Sequence, residues 1–330
     1  MSLRRYDGPT LTLVVNPTAG RGRARKLLPA VSTELLRGLP SANLRVHQTT
    51  DFAEARQRVL DAVAKARPAH DGVRADAVLV MGGDGMMHLG VNGCAGTDVP
   101  LGLIPAGTGN DMCRGLGIHV FNPMHAARMV IAGHSRRVDT LRVEGELTGG
   151  AEVRHIGTVV ATGYDARVNY RANHMKLPIG NLRYAASALA ELTGFEPLTY
   201  RLTVDGRRRD QPAMFIAIGN GAYFGGGMKI CPEASVTDGL LDVTVIHPVS
   251  RATLLRLLPT MFSGRFVRDP AVERFTATEV VVDGDGLLGM GDGEELGRVP
   301  LKISVAPRSL TVFGTKRSAV TAGGPAEVTD

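Results

Sequence analysis

Three short segments hold residues whose types and spacing suit phosphate and metal chemistry. The first, Asn16-Pro17-Thr18-Ala19-Gly20-Arg21-Gly22, directly follows an apolar run at 11–15. Small residues there let backbone amides approach an anion, and the basic helix start that follows adds aligned donors and positive potential. Taken alone, the segment fits an ordinary strand-to-helix turn equally well. The second, Gly82-Gly83-Asp84-Gly85, closes the apolar run 77–81. A single carboxylate among glycines can meet a nucleotide or its metal unobstructed, at the strand end where open parallel sheets bind ligands. The third, Pro105-Ala106-Gly107-Thr108-Gly109-Asn110-Asp111, follows the run 101–104. Thr108 and the local amides suit phosphate, and Asn110 or Asp111 suit capping a helix and orienting metal-bound water. Capping alone accounts for Asp111 but not for three such segments at strand ends.

The elements that position these segments follow from hydrophobic periodicity. Strand-like runs at 11–15, 44–47, 77–81 and 101–104 alternate with helical patterns at 24–36, 53–66, after Gly85 and at 110–116. That rhythm predicts a parallel α/β sheet with helices on both faces. After Arg136 the runs are mainly strand-like, at 158–161, 200–204, 214–218, 241–246, 279–282 and 301–305, with helical patterns at 182–192 and 251–262. The division expected is an α/β domain at 1–135, a β-rich domain at 136–315 with room for its last strand to pack back on the first, and a small, polar, disordered tail at 316–330.

A chain of 330 residues with abundant aliphatic side chains and no Trp suits two enzyme-like domains rather than an aromatic-rich nucleic-acid binder. Cys94, Cys113 and Cys231 are odd in number and lack metal-ligand spacing, which argues against a disulfide framework and a zinc site. No segment has the roughly twenty apolar residues that span a bilayer, so a cytoplasmic location is expected. The net charge of +6 is concentrated in Arg21, Arg23, Arg25 and Lys26, in Arg136 and Arg137, and at 207–209. Such clusters favour anionic partners in general or simply solvate the surface. Nucleic acid is not expected, because no recognition helix or aromatic platform is apparent.

The ordered set Asn16-Pro17-x-x-Gly20, Gly82-Gly83-Asp84-Gly85 and Gly107-Thr108-Gly109-Asn110-Asp111 resembles the catalytic domain shared by diacylglycerol, sphingosine and ceramide kinases, nearest the bacterial soluble lipid kinases. The resemblance continues through Gly163-Tyr164-Asp165, Gly219-Asn220-Gly221, Gly225-Gly226-Gly227, Asp238-Gly239-Leu240-Leu241-Asp242 and Asp292-Gly293-Glu294, and so runs from Leu11 to Phe313. It implies an N-terminal parallel-sheet α/β nucleotide-binding domain of the NAD kinase and diacylglycerol kinase type. A C-terminal β-sandwich domain would follow, with ATP in the cleft between the two. It also implies magnesium, a lipid substrate with a free hydroxyl, transient peripheral contact with the inner membrane surface, and a homodimer. Diacylglycerol, giving phosphatidic acid, is the first acceptor implied, with sphingoid bases or ceramides as alternatives. Carried over position by position, Asn16, Pro17, Thr18, Ala19, Gly20, Gly82, Gly83, Asp84, Gly85 and Thr108 are nucleotide-binding. Asn110 and Asp111 accompany Thr108, and Thr49 at the end of the second strand joins them. The segment around Asp238 corresponds to a structural magnesium site in the bacterial members, held by the backbone carbonyls of Ser235 and Leu240 and the carboxylate of Asp238. Hard oxygen ligands suit that ion. Asp292-Gly293-Glu294 matches the family's general-base motif, with Glu294 or Asp292 as the base.

One departure from the family pattern stands out. The hydroxyl residue that usually follows Gly-Gly-Asp-Gly is replaced by Met86, with Met87, His88 and Leu89 after it. This implies altered nucleotide affinity rather than lost activity, and a lone His88 reads as structural. Lys176 and Lys229 are candidate phosphate or headgroup contacts, although solvated lysines are commoner. The apolar and basic stretch 251–265 fits core packing better than a membrane surface. An NAD kinase or phosphofructokinase-like enzyme is the nearest rival, but it leaves Gly-Thr-Gly-Asn-Asp and the second-half motifs unexplained. An inert lipid or nucleotide sensor is opposed by the intact Asp292-Gly293-Glu294.

Overall fold

The computed structural model describes residues 8–163 and 197–314. The helical pattern at 182–192, Tyr164, Asp165, Lys176 and the tail at 316–330 fall outside these residues.

Four parallel strands form the first part of the sheet: β1 (Thr10–Val15), β2 (Asn43–Gln48), β3 (Ala77–Gly82) and β4 (Leu101–Pro105), in the order β4-β3-β1-β2. β3 and β4 are buried at every position, which is why they read as unbroken apolar runs rather than alternating ones. β2 is the outermost strand and is largely accessible. Five helices connect this part: α1 (Ala19–Gly38), α2 (Phe52–Ala64), α3 (Asp84–Cys94), α4 (Asp111–Gly115) and α5 (Pro123–Ala132). α1 packs with α5, and α2 with α3. Asp51 caps α2 by accepting from the Glu54 amide at 2.8 Å, so that helix starts where the pattern indicated. The regular part of α1 begins where the helical pattern at 24–36 indicated. Gly20, Arg21 and Gly22 are left-handed, with φ of 59°, 59° and 83°, so the span opens on an irregular turn around the phosphate-type segment before regular helix begins.

The second half is β-rich, as its pattern predicted. Its central strands are β5 (Ser135–Leu147), β6 (Val153–Ile156), β7 (Val159–Gly163), β8 (Leu198–Val204), β9 (Arg207–Ala213) and β10 (Phe215–Gly219). A short hairpin, β11 (Tyr223–Phe224) and β12 (Met228–Lys229), precedes β13 (Leu241–Ile246), β14 (Val272–Ala277), β15 (Glu279–Asp283), β16 (Leu288–Gly291) and β17 (Glu294–Phe313). One layer runs β14-β13-β10-β7-β16-β17, while β5, β6, β8, β9 and β15 branch from β17. Apolar side chains from both groups, among them Leu141, Ile156, Tyr200, Ile216, Val243, Val280 and Ile303, form a shared core. The helix Arg251–Ser263 buries Leu254, Leu257 and Met261 in a further cluster, as core packing predicts, and leaves Leu255 and Phe262 exposed. No helix among the described residues is long and apolar enough to cross a membrane.

The halves are joined through β17. Beginning at the Asp292-Gly293-Glu294 turn, it runs antiparallel to β5 for most of its length and ends parallel to β4, with Val312 opposite Leu101.

Candidate active site

A cleft of about 630 Å³ opens where the carboxyl ends of β1, β3 and β4 meet the second half. Asn16, Thr18, Ala19, Gly20, Thr49, Gly83, Asp84, Gly85, Thr108, Asp111, Asp292 and Glu294 all line it. Pro17, Gly82 and Asn110 do not reach its surface, and Ser235, Asp238 and Leu240 lie elsewhere. Sequence reading did not place Thr158, Phe52 or the apolar flank formed by Met87, Met112, Val159, Ala161 and Met290 in the site. Met86 belongs to the same flank, so its thioether replaces a hydroxyl with apolar wall.

The strand-end turns are tied by their own side chains. Asn16 Oδ1 accepts from the Thr18 amide at 3.0 Å and the Thr18 hydroxyl at 2.7 Å, and the Asn16 amide donates to Met81 O on β3. Thr49, buried, donates from Oγ1 to Val15 O at 3.2 Å, fastening the end of β2 to β1. Asn110 does not cap α4 with its side chain. It is left-handed, with φ of 57°, and exchanges hydrogen bonds with Gly107, whose amide donates to Oδ1 and whose carbonyl accepts from Nδ2. The cap comes instead from Asp84, which accepts from the Asn110 amide at 3.0 Å and the Asp111 amide at 2.7 Å. Gly109 makes room for this: a Cβ there would stand 2.3 Å from Asp84 Oδ2. The second and third segments are thereby locked into one unit.

Asp111 extends that unit into the second half, where its Oδ2 accepts from the Gly226 amide at 2.7 Å. Its Oδ1 is buried with no hydrogen-bond partner, and Arg114 Nε lies 3.6 Å away. Burial, reinforced by the charge of Asp84, pushes the Asp111 carboxyl up to about 7. Burial likewise raises Asp84, against the opposing pull of the Asp111 and Asn110 amides and with the charge of Asp292 adding to the rise. Two buried carboxyls that oppose each other's ionisation, one with an orphaned oxygen, fit a divalent cation brought with a nucleotide. Asp84 and Asp111 are the residues here that would hold it.

A pH dependence follows. Because the folded-state value of Asp111 lies above its ordinary 3.8, the neutral form stabilises the fold fully below that value, and this contribution is lost as pH rises through about 7. With chelator present, the urea midpoint is expected to fall across that window, and Asp111→Asn is expected to flatten the fall. An unchanged pH profile in the variant would count against this role.

The two candidate bases differ sharply in surroundings. Asp292 is enclosed by donors. Its Oδ1 accepts from the Thr158 amide at 2.9 Å and the Thr158 hydroxyl at 2.6 Å, and its Oδ2 accepts from the Gly157 amide at 3.0 Å and faces His88 Nδ1 at 3.2 Å. It also sits at a left-handed φ of 52°, at the start of the turn into β17. His88 is buried on α3, one turn after Asp84, so its structural reading acquires a specific content: it ties the helix of the second segment to the Asp292 turn. Glu294, two residues on, has a carboxylate that makes no hydrogen bond to any described residue; it projects across the cleft and its charge is felt by Arg154. Its Oε1 lies 3.0 Å from where a Cβ would stand on Gly85, so that glycine leaves the space the carboxylate occupies.

The segment proposed for a second metal is a turn in which Asp238 Oδ1 accepts from the Leu240 amide at 3.1 Å and the Ser235 and Thr237 hydroxyls lie 3.4 Å apart. Nearby Asp242 is pushed up to about 6, by burial first and then by the charges of Asp238 and Glu233. That surplus of negative charge fits an oxygen-ligated cation. Among the described residues no three His, Cys, Asp or Glu side chains gather into a metal cage, so carbonyl oxygens would have to contribute. Lys229 lies over the Tyr223 ring, 5.6 Å from its centroid, outside the cleft lining.

Comparison with known proteins agrees with this architecture. Residues 10–143 match the diacylglycerol kinase catalytic domain, and residues 158–314 match the YegS C-terminal NAD kinase beta sandwich-like domain. A diacylglycerol kinase of Mycobacterium tuberculosis is 39% identical over 313 residues, covering 94% of this chain and 97% of that one. A diacylglycerol kinase of Bacillus subtilis is 26% identical over 295 residues, covering 87% and 90%. The crystal structure of a diacylglycerol kinase from Bacillus anthracis superposes with a TM-score of 0.68 at 20% identity, covering 94% of this chain and 98% of that one, and so shares the fold. With both halves matched in order and one relative aligned across nearly its whole length, this chain belongs to the diacylglycerol kinase family of lipid kinases.

Proposed function

We propose that this kinase transfers the γ-phosphoryl group of ATP to the free hydroxyl of a lipid, with diacylglycerol the first acceptor and phosphatidic acid the product. The observation that carries the reading is the pairing within one cleft of an amide-rich floor with an unengaged carboxylate. The floor is built by Gly83, Asp84, Gly85 and the 107–109 turn, and Glu294 faces it from the other half.

Phosphoryl transfer needs positioning and charge neutralisation more than covalent help. Backbone amides at 83–85 and 108–109 would hold the nucleotide phosphates, aided by the amino terminus of α3. Magnesium, held by Asp84 and Asp111 with phosphate oxygens, would neutralise charge as it moves to the leaving group. Glu294 would accept the proton of the attacking hydroxyl. The flank of Met86, Met87, Met112, Val159, Ala161 and Met290 gives an acyl chain an apolar path beside that hydroxyl. Contact with the membrane that supplies the lipid would be peripheral and transient.

The test is transfer of labelled phosphate from ATP, with magnesium, to diacylglycerol, sphingosine, ceramide and NAD, the lipids presented in mixed micelles. Labelled phosphatidic acid is the expected product. Transfer to NAD alone, or to no acceptor despite measurable ATP binding, would overturn the reading.

A further inference from the structure

We propose that the groove between β2 and α2, lined by a set of residues separate from those of the cleft, is a binding site for a phosphomonoester group. It has a volume of about 660 Å³ and is lined by Thr12, Asn43, Arg45, His47, Arg58 and Lys65 together with the ends of α2 and β3. Thr10, Thr12, Asn43 and Ala77 belong to the amino-terminal parts of their strands, whereas the cleft lies at the carboxyl ends; His47, near the end of β2, is the groove residue nearest the cleft in sequence, two positions before Thr49. β2 is the last strand of the sheet on this side, so no further strand covers the groove.

Its charge is uneven in a way that favours an anion. Arg45 and Lys65 make no ion pair with any described residue, and Arg58 is held only by Glu54 at 3.5 Å. Of the two lining acids, Asp76 is neutralised by Arg67 at 3.0 Å and also accepts from the Thr10 and Arg67 amides, while Asp61 keeps its charge, accepting from Gln57 at 2.7 Å, and is outweighed by Arg45, Arg58 and Lys65. His47 is lowered by burial first and then by the charges of Arg58 and Arg45, with Glu54 opposing, so both guanidinium groups are felt at one point. Thr12 is 8% exposed, and its hydroxyl makes no hydrogen bond to the described residues. A buried donor beside converging cations in a concave site suits a compact dianion; an extended polyanion would need a stripe of charge. The inference stands independently of the lipid kinase reading.

The test titrates the full chain with inorganic phosphate and glycerol 3-phosphate. It also measures cosedimentation with phosphatidylcholine vesicles alone or containing phosphatidic acid or phosphatidylglycerol. Saturable binding is expected, weakened about fivefold by Arg45→Ala and by Lys65→Ala, with ATP affinity unchanged. Thr12→Val should weaken monoester binding as well. Binding of the soluble monoesters would identify free phosphate as the source, and binding only to vesicles with phosphatidic acid would identify a lipid headgroup. Equal affinity for phosphatidylglycerol vesicles would show a nonspecific field and overturn the proposal. So would affinities unmoved by the substitutions, or no binding by any probe.

Discussion

Replacing Glu294 by Gln is expected to lower kcat by about two to four orders of magnitude, the range that a positioned general base supplies, while leaving ATP affinity and the urea midpoint near those of the parent. The expectation rests on isolation. The Glu294 carboxylate accepts no hydrogen bond from the described residues and meets Arg154 only through its charge, so the neutral isostere breaks no hydrogen bond that holds the fold and still fits the space beside Gly85. A rate loss confined to kcat would mark an interaction made in the transition state. Full activity in Glu294→Gln would remove it from the chemistry and return attention to Asp292.

Asp292→Ala is expected to fail differently, by destabilising the fold. It would strip acceptors from the Gly157 and Thr158 amides and from the Thr158 hydroxyl, and leave buried His88 with Asn92 but without its carboxylate partner. Each buried donor left unmade costs about 1–3 kcal/mol, and the losses are not additive, so about 3 kcal/mol or more is a fair expectation. Urea denaturation monitored by circular dichroism would measure it. Asp292→Asn should fall between, since its carbonyl oxygen can still accept from Thr158 while its amide nitrogen would face another donor at Gly157. Were Asp292→Asn instead to abolish turnover at unchanged stability while Glu294→Gln stayed active, the two roles would be exchanged.

The contrast shows what the sequence could and could not carry. The glycine-rich segments were legible because each follows an apolar strand that is buried on every side, and strand and turn then signal each other locally. Of the long strands, β17 was legible only at 301–305 and β5 was missed. β5 mixes buried and exposed positions, and its pairing with β17 shifts register twice, which erases a simple alternation. The regular start of α1 was legible, but the turn ahead of it was not, because Gly20, Arg21 and Gly22 take up left-handed backbone there. The division of labour between Asp292 and Glu294 was beyond local reading, since the donors that enclose Asp292 come from residues 134 to 204 positions away. The capping of α4 by Asp84 was hidden in the same way, because Asn110 and Asp111 looked self-sufficient.

The course of β17 bears on how the protein is made. A ribosome delivers β4 long before it delivers Val312, yet β17 is the neighbour that completes the β4 side of the parallel sheet. During synthesis the nascent amino-terminal half therefore waits with an unpaired strand edge facing solvent, the kind of surface that invites pairing with another chain. Truncations or fusions placed between the halves would make that temporary edge permanent, so a soluble fragment of the first domain would need a substitute strand.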